Sequence, residues 1–217
     1  YNKIIRERFH DGQLSEVVMD WYIGTPEETR GYLKDAPEGA FTKPYKINDL
    51  YLDKAFVRDI ILNIRLTDVV AELLDFIPVA MNTLSLSYGS QQRFHFDTFY
   101  MPPPSTNKMV AAWIALDDTN ERNGPLCYYP GSHMIKPFQF DTGKLNENPK
   151  EMHKFDEYIA TEIEKRGLIQ EQFHAKKGDV FIWHSQLYHG GSPIIDNFET
   201  QRKSLVVHYF SALDFPH

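Results

Sequence analysis

The feature that most constrains the fold is a series of short strand-like segments that begins after Pro78. Each segment is rich in β-branched, aromatic or alternating residues, and Gly, Pro and Asn separate it from the next. A series of roughly seven or eight short antiparallel strands predicts a small β-sandwich or jelly roll whose mouth can hold a ligand. The segments are 81–88, 93–100, 109–116, 126–129, 168–174, 178–184 and 203–210.

Helical patterns precede these segments. Residues 1–50 are punctuated by Gly and Pro, which predicts short helical pieces joined by loops. Between Leu52 and Phe76 apolar residues recur at helical spacing, so we predict two amphipathic helices, the second capped by Thr67. This part of the chain is expected to support the strands.

A further helix is predicted from about Pro149 to Arg166, inside the interruption 136–177. With no repeat and no domain boundary in the sequence, we predict one mainly β domain with supporting helices. Its expected parts are mainly helical support over 1–76, a β core over 77–135 and 168–210, and a lid-like insertion over 136–167.

The charge balance bounds the partners. The 217 residues include 23 basic and 30 acidic side chains, for a formal net charge of −7. Nucleic-acid binding needs clustered Lys and Arg, so this balance argues against it. The one cysteine, Cys127, cannot form an internal disulfide, and no apolar run approaches the ~20 residues that span a membrane. We expect a cytoplasmic protein acting on a small molecule; the oligomeric state stays open.

Two histidines and one aspartate form a candidate metal site. His95 and Asp97 are two residues apart in a predicted strand, so both would point to the same face. His189 follows another predicted strand. Two imidazoles and one carboxylate on one face of a metal leave three positions open, as in non-haem Fe(II) oxygenases. A lone His-X-Asp arises often by chance, so the case depends on the rest of the pattern.

Arg202 and Ser204 supply that second part. They share a face of the last predicted strand. A buried guanidinium binds a carboxylate through two hydrogen bonds, and a neighbouring hydroxyl can donate another. This pair would hold the distal carboxylate of 2-oxoglutarate. A surface ion pair with Asp196 or Glu199 is the alternative.

Over about residues 45–210, the order and spacing of these pieces resemble the phytanoyl-CoA dioxygenase family of Fe(II)/2-oxoglutarate oxygenases. The matching pieces are His95-Phe96-Asp97, Trp113, Asn123-Gly124-Pro125-Leu126, Pro130-Gly131-Ser132-His133, Gly178-Asp179, His189-Gly190 and Arg202. Gly191 is a departure, because the family often has Ser there.

The resemblance implies a double-stranded β-helix, also called a jelly roll or cupin-like fold, with a helical insertion. It implies Fe(II) on His95, Asp97 and His189, with O₂ as co-reactant. It also implies 2-oxoglutarate on Arg202, with help from Trp113 and an early-strand amide, for which Asn82 is the candidate. Because the family's halogenases replace the aspartate with a small residue, Asp97 disfavours halogenation.

Other readings of the same residues stay open. His184 should face away from His189, while His133 and His208 are expected to be hydrogen-bonded structural residues. The predicted activity is hydroxylation, or another oxidation, of an unactivated C–H bond in a small metabolite. The alternatives are a divalent-metal hydrolase or isomerase, and a non-catalytic β-sandwich binding protein.

Overall fold

In the computed structural model, which describes residues 17–23, 25–105 and 107–215, ten strands form two antiparallel sheets. The larger sheet has the order β2-β1-β3-β4-β10-β5-β8, and the smaller has the order β7-β6-β9. The strands are β1 (Val18–Trp21), β2 (Thr29–Tyr32), β3 (Tyr45–Asn48), β4 (Pro78–Leu86), β5 (Met109–Ala115), β6 (Leu126–Tyr128), β7 (Glu171–Phe173), β8 (Val180–His184), β9 (His189–Gly191) and β10 (Ser204–Ser211). This is the predicted double-stranded β-helix architecture.

Alternation along β5 and β10 divides the core between the two faces of the larger sheet. Val110, Ala112 and Ile114 face α1 (Ala55–Ile61) and α2 (Ile64–Leu74) in one apolar cluster. Ala111 and Trp113 face the smaller sheet in a second cluster. The strand period of two therefore produces a helix-backed outer face and an inner face that borders the space between the sheets.

The insertion carries α3 (Met152–Arg166), which packs in a third, aromatic cluster. Phe155 is fully buried there, and its ring lies 4.8 Å from that of Phe99 in an edge-to-face arrangement. Phe96 and Phe140 belong to the same cluster. No helix in the described ranges is both long and apolar enough to cross a membrane.

Three local predictions were wrong. Residues 18–48 contain three strands besides short 3₁₀ turns. The strand pattern is hidden in the sequence because buried Asp20, which forms ion pairs with Arg30 and Lys46 across the sheet, interrupts the apolar alternation of β1. The second helix is capped by Asn63, whose side chain accepts from the Arg65 amide, and not by Thr67. The part of residues 1–50 before residue 17 lies outside the described residues.

The third wrong prediction concerns the strand over 93–100. His95 makes an isolated bridge to His189, and Asp97–Phe99 is a 3₁₀ turn. The Asp97 amide donates to the Ser185 carbonyl at 3.1 Å, and the Tyr100 amide closes the turn onto Asp97. The two predicted ligands therefore lie close together because of a turn, and not because of a regular strand.

Candidate active site

The two histidines of the candidate metal site are paired through their backbones. The His95 amide donates to the His189 carbonyl at 2.8 Å, and the His189 amide donates back at 3.1 Å. Their rings lie 4.4 Å apart, centre to centre. The backbone pairing thus brings the imidazoles side by side although they are distant in sequence.

Glycine makes this close approach possible. A Cβ on Gly190 would lie 2.9 Å from the Gln92 carbonyl oxygen, and one on Gly191 would lie 2.5 Å from Ser90 Oγ and 2.7 Å from the Gln91 amide nitrogen. Such distances are shorter than real Cβ contacts. A side chain at position 190 or 191 would therefore collide with the segment 90–94.

Backbone carbonyls orient both rings. His95 Nδ1 lies 2.8 Å from the Arg93 carbonyl oxygen, and His189 Nδ1 lies 2.9 Å from the Leu187 carbonyl oxygen. A carbonyl only accepts hydrogen bonds, so each Nδ1 carries hydrogen. The lone pair of each neutral ring is then on Nε2, as metal ligation requires.

Asp97 is buried and faces these nitrogens. Its Oδ1 lies 3.7 Å from His95 Nε2, 3.6 Å from His189 Nε2 and 3.7 Å from His208 Nε2. Its Oδ2 accepts a hydrogen bond from Trp183 Nε1 at 2.8 Å. One carboxylate oxygen therefore faces three imidazoles, and the other is bound by an indole.

The protonation states favour metal binding. Burial, the largest influence, raises the pKa of Asp97, but the charge of His189 and polar contacts with His208 and His95 together hold that pKa well below its ordinary value. Burial, and to a smaller extent His95, lowers the pKa of His189 to about 4 against the opposing charge of Asp97. At neutral pH the carboxylate is charged and His189 is neutral, so neither loses a proton when a metal binds.

Within the described residues, His95, Asp97 and His189 form a group whose donor atoms all lie within 4.8 Å of one another. All three side chains are buried. Two imidazole nitrogens and a carboxylate oxygen on one side of a small cavity fit a divalent metal with several open positions. The three residues singled out in the sequence are thus brought together.

Arg202 lies in the same cavity as this group. It is only 3% exposed, and its Nε has no hydrogen-bond partner among the described residues. Its Nη1 makes a long contact of 3.4 Å to Ser204 Oγ, and its guanidinium carbon lies 5.3 Å from the centre of the Trp113 ring. Burial lowers its pKa to about 10, which still leaves it charged at neutral pH.

The alternative reading of Arg202 as a surface ion pair is wrong. The Asp196 carboxylate accepts from the Phe198 and Thr200 amides and from the Thr200 hydroxyl instead. A buried guanidinium that lacks a carboxylate partner in the described structure is costly unless an anion completes it. Arg202 and its neighbours therefore form a candidate carboxylate site.

Asn82 lines the cavity, but its amide is already bonded at both ends. Its Oδ1 lies 3.0 Å from His208 Nδ1, and its Nδ2 donates to Asp49 Oδ1 at 3.0 Å. His208 is therefore hydrogen-bonded, as expected, but it also faces Asp97 of the candidate metal group, a position that the sequence analysis did not predict. The sequence did contain a signal for this position, because even spacing along a strand places His208 on the same face as Arg202 and Ser204.

His184 behaves as expected and stays outside the metal group. Its ring lies 5.8 Å from that of His133, and its Nδ1 accepts from the Gln186 amide at 3.0 Å. Burial, and then the neighbouring His133, lowers its pKa. His133 lies in the 3₁₀ turn Ser132–Met134.

The cavity has a volume of about 770 Å³. Its walls come from the inner face of the larger sheet, the loop 90–93, the segment from His95 to Met101, and strand β9. Arg30 of β2 also contributes, together with Ile23 and Glu28 of the connection between β1 and β2. No described residue of 136–167 lines it, so the predicted lid has no support in this arrangement, and the insertion instead packs behind Phe96 and Phe99.

Most of the chain matches a known protein family. Residues 43–197 match the family described as Phytanoyl-CoA dioxygenase (PhyH). The human peroxisomal phytanoyl-CoA dioxygenase is 28% identical over 125 residues, 57% of this chain and 34% of the human protein. The zebrafish (Danio rerio) phytanoyl-CoA dioxygenase domain-containing protein 1 is 21% identical over 194 residues, 83% of this chain and 65% of that protein. The chain thus matches about a third of the length of its human relative.

Solved structures share the fold. EctD from S. alaskensis with bound Fe superimposes with a TM-score of 0.63 at 14% identity, covering 98% of this chain and 67% of EctD. The non-haem α-ketoglutarate-dependent carbocyclase SnoK from nogalamycin biosynthesis gives a TM-score of 0.62 at 17% identity, covering 78% of this chain and 64% of SnoK. At these identities the likeness establishes the architecture alone.

Proposed function

The chain belongs to the phytanoyl-CoA dioxygenase family, and from that premise we propose that it is a non-haem Fe(II)- and 2-oxoglutarate-dependent dioxygenase. In this proposal His95, Asp97 and His189 hold the iron, and Arg202 binds the distal carboxylate of 2-oxoglutarate. Bound Fe(II), 2-oxoglutarate and O₂ together supply the oxidising power to attack an unactivated C–H bond. The protein contributes binding, orientation and exclusion of water.

The single observation that carries the proposal is the burial of Arg202 in the cavity with its Nε unpaired among the described residues. A metal hydrolase or a non-catalytic binding protein could use the same His-Asp-His group. Neither needs a second feature of this cavity, a buried guanidinium that has no carboxylate partner among the described residues. A dicarboxylate that reaches from the metal to Arg202 uses both features. Such a pairing supplies two charge-assisted hydrogen bonds and removes the cost of the isolated charge.

The neighbours of Arg202 define what its ligand meets. Ser204 Oγ can donate to a carboxylate oxygen that reaches Arg202, and the Trp113 ring lies beside the guanidinium. Leu86, Leu126 and Val206 belong to one apolar cluster and line the cavity. An apolar wall lowers the local dielectric, which strengthens the attraction between guanidinium and carboxylate.

We further propose that the substrate is a small metabolite whose C–H bond is hydroxylated. A cavity of about 770 Å³ falls within the usual range for small-molecule sites of roughly 300–1,000 Å³. The net charge of −7 argues against a nucleic-acid partner. Two ligands, the cosubstrate and the substrate, then share this volume.

An anaerobic titration tests the proposal. Metal-free protein is loaded with Fe(II) and titrated with 2-oxoglutarate, and the expected result is a saturable metal-to-ligand charge-transfer band. Admission of O₂ should then release succinate slowly even without substrate, and metabolite mixtures should be screened for compounds that accelerate this release. Absence of the band at saturating 2-oxoglutarate, with Fe(II) demonstrably bound, would reject the assignment.

A further inference from the structure

Four neighbouring strands place one residue each in a row across the inner face of the larger sheet. Asn82 of β4 is opposite His208 of β10, His208 is opposite Ala111 of β5, and Ala111 is opposite Trp183 of β8. Side chains at directly opposed positions lie on the same face, roughly 5 Å apart. We call Asn82, His208, Ala111 and Trp183 the inner row.

The small member of the inner row makes room for Asp97. Ala111 carries only a methyl group and is fully buried between the two large side chains, His208 and Trp183. The Asp97 carboxylate contacts both, with Oδ2 on Trp183 Nε1 at 2.8 Å and Oδ1 3.7 Å from His208 Nε2. A larger residue at position 111 would compete for this space.

We propose that Trp183 is a positioning residue that restricts metal binding by Asp97 to one oxygen, Oδ1. A carboxylate can bind a metal through one oxygen or both, and the second mode occupies a further coordination position. The indole N–H is a donor only, and its hydrogen bond to a charged carboxylate is charge-assisted. With Oδ2 bound in this way, only Oδ1 faces the histidine nitrogens. The inference relies on the proposed function only in taking Asp97 as a metal ligand.

The other end of the inner row limits movement of Asp97 in the opposite direction. Asn82 Nδ2 donates to Asp49 Oδ1, so Asn82 presents its oxygen to His208 Nδ1. Asp49 Oδ1 also accepts from the Thr83 amide at 2.9 Å, which anchors this chain of hydrogen bonds to the backbone of β4. These hydrogen bonds fix the orientation of the His208 ring, and the Asp97 carboxylate lies between this imidazole and the Trp183 indole.

Trp183→Phe tests the inference, since it deletes the donor and keeps an aromatic ring. Metal-free parent and variant are titrated with Co(II), whose visible absorption reports coordination number, in the absence of 2-oxoglutarate. We expect about ten- to a hundredfold weaker binding, the usual effect of removing a partner of a metal ligand, and a changed Co(II) spectrum. The matched control is Trp21→Phe, a buried tryptophan of β1 outside the cavity lining, which should leave affinity and spectrum unchanged.

Parent-like affinity together with a parent-like spectrum in folded Trp183→Phe would overturn the inference. If that variant does not fold, a benzothienylalanine at position 183, which replaces the indole N–H with sulfur at nearly constant shape, gives the same comparison. A parent that binds no Co(II) would overturn both the ligand assignment and this inference. A parent that binds Co(II) but shows no response to 2-oxoglutarate would overturn only the proposed function.

Discussion

His95 and His189 exchange both of their backbone hydrogen bonds, at 2.8 and 3.1 Å. The spacing of the two imidazoles is therefore set by main-chain pairing and not by flexible side chains. Pre-organisation of this kind lowers the cost of assembling a metal site, because the ligands need little reordering on binding. It also makes the site sensitive to any change that separates β9 from the segment 90–95.

Gly191→Ser should therefore damage the candidate metal site. The new side chain would start 2.5 Å from Ser90 Oγ and force the loop 90–92 away. We expect a loss of about 1–3 kcal/mol in the free energy of unfolding, typical of overpacking, and weaker Fe(II) binding. Denaturant titration and metal titration measure the two effects.

The control for this substitution is Gly39→Ala. A Cβ there would meet only the Tyr22 hydroxyl, at 3.4 Å, so stability and Fe(II) affinity should remain close to those of the parent. If Gly191→Ser behaved like this control, the close approach of the two segments would not be a constraint.

Asp97→Ala and Arg202→Ala should have distinct phenotypes. The first removes a charged ligand and should abolish Fe(II) binding and with it all turnover. The second should still bind Fe(II), but its affinity for 2-oxoglutarate should fall by about 2–4 kcal/mol, or roughly thirty- to a thousandfold, because a charge-assisted pair is lost. Arg202→Lys should recover only part of this loss, since lysine keeps the charge without the planar fork. Parent-like 2-oxoglutarate affinity in Arg202→Ala would require another carboxylate anchor.

The stability of the metal-free protein should fall between pH 6.5 and pH 4. The pKa of His189 is lowered to about 4 in the folded state, whereas that of an unfolded histidine is about 6.5. As the pH falls the unfolded state takes up the proton first, so this contribution is complete above 6.5 and is lost toward 4. Between pH 7 and 5 the loss is about 2 kcal/mol.

The chain has nine histidines, so the contribution of His189 is measured as a difference between two proteins. Denaturant unfolding of metal-free parent and His189→Gln at pH 7 and pH 5 isolates the contribution of His189. The variant should show the shallower dependence on pH. Equal slopes in the two proteins would contradict a neutral, buried His189.

Much of this organisation could be predicted from the sequence, because strand alternation and Gly-Pro punctuation are local signals. Strands β5 and β10 lie close to their predicted positions. The turns at Gly124 and Gly131 adopt the positive φ angles that favour glycine. Same-face parity correctly put Arg202 beside Ser204.

What could not be predicted depends on contacts between distant segments. The early strands β1–β3 are stabilised by pairing with one another and with β4, and the buried Asp20 hides their apolar pattern. The His95-Phe96-Asp97 segment is extended only where it pairs with His189, and then turns. The place of His208 depends on the register of three strands, which no single segment encodes.

His208→Phe should weaken metal binding only moderately. His208 Nε2 faces Asp97 Oδ1 at 3.7 Å, but the compact donor group consists of His95, Asp97 and His189. We expect about a tenfold loss of Fe(II) affinity, the lower end of the effect of removing an outer partner. His174→Phe, at an exposed position, is the control and should change nothing. A loss comparable to that in Asp97→Ala would make His208 a fourth ligand.

Cosubstrate binding should protect the loop 90–93 from hydrogen exchange and leave residues 136–148 unchanged. The loop lines the cavity and packs closely against Gly191. A ligand between Arg202 and the metal would therefore make local unfolding of the loop less frequent. The insertion instead places Phe138 and Phe140 in the aromatic cluster around Phe155, where opening would expose several rings at once. Co(II) with 2-oxoglutarate, compared with Co(II) alone, provides the two states for hydrogen–deuterium exchange by mass spectrometry. Selective protection of 136–148 would restore the lid interpretation, because only a segment that closes over the ligand gains protection without lining its site.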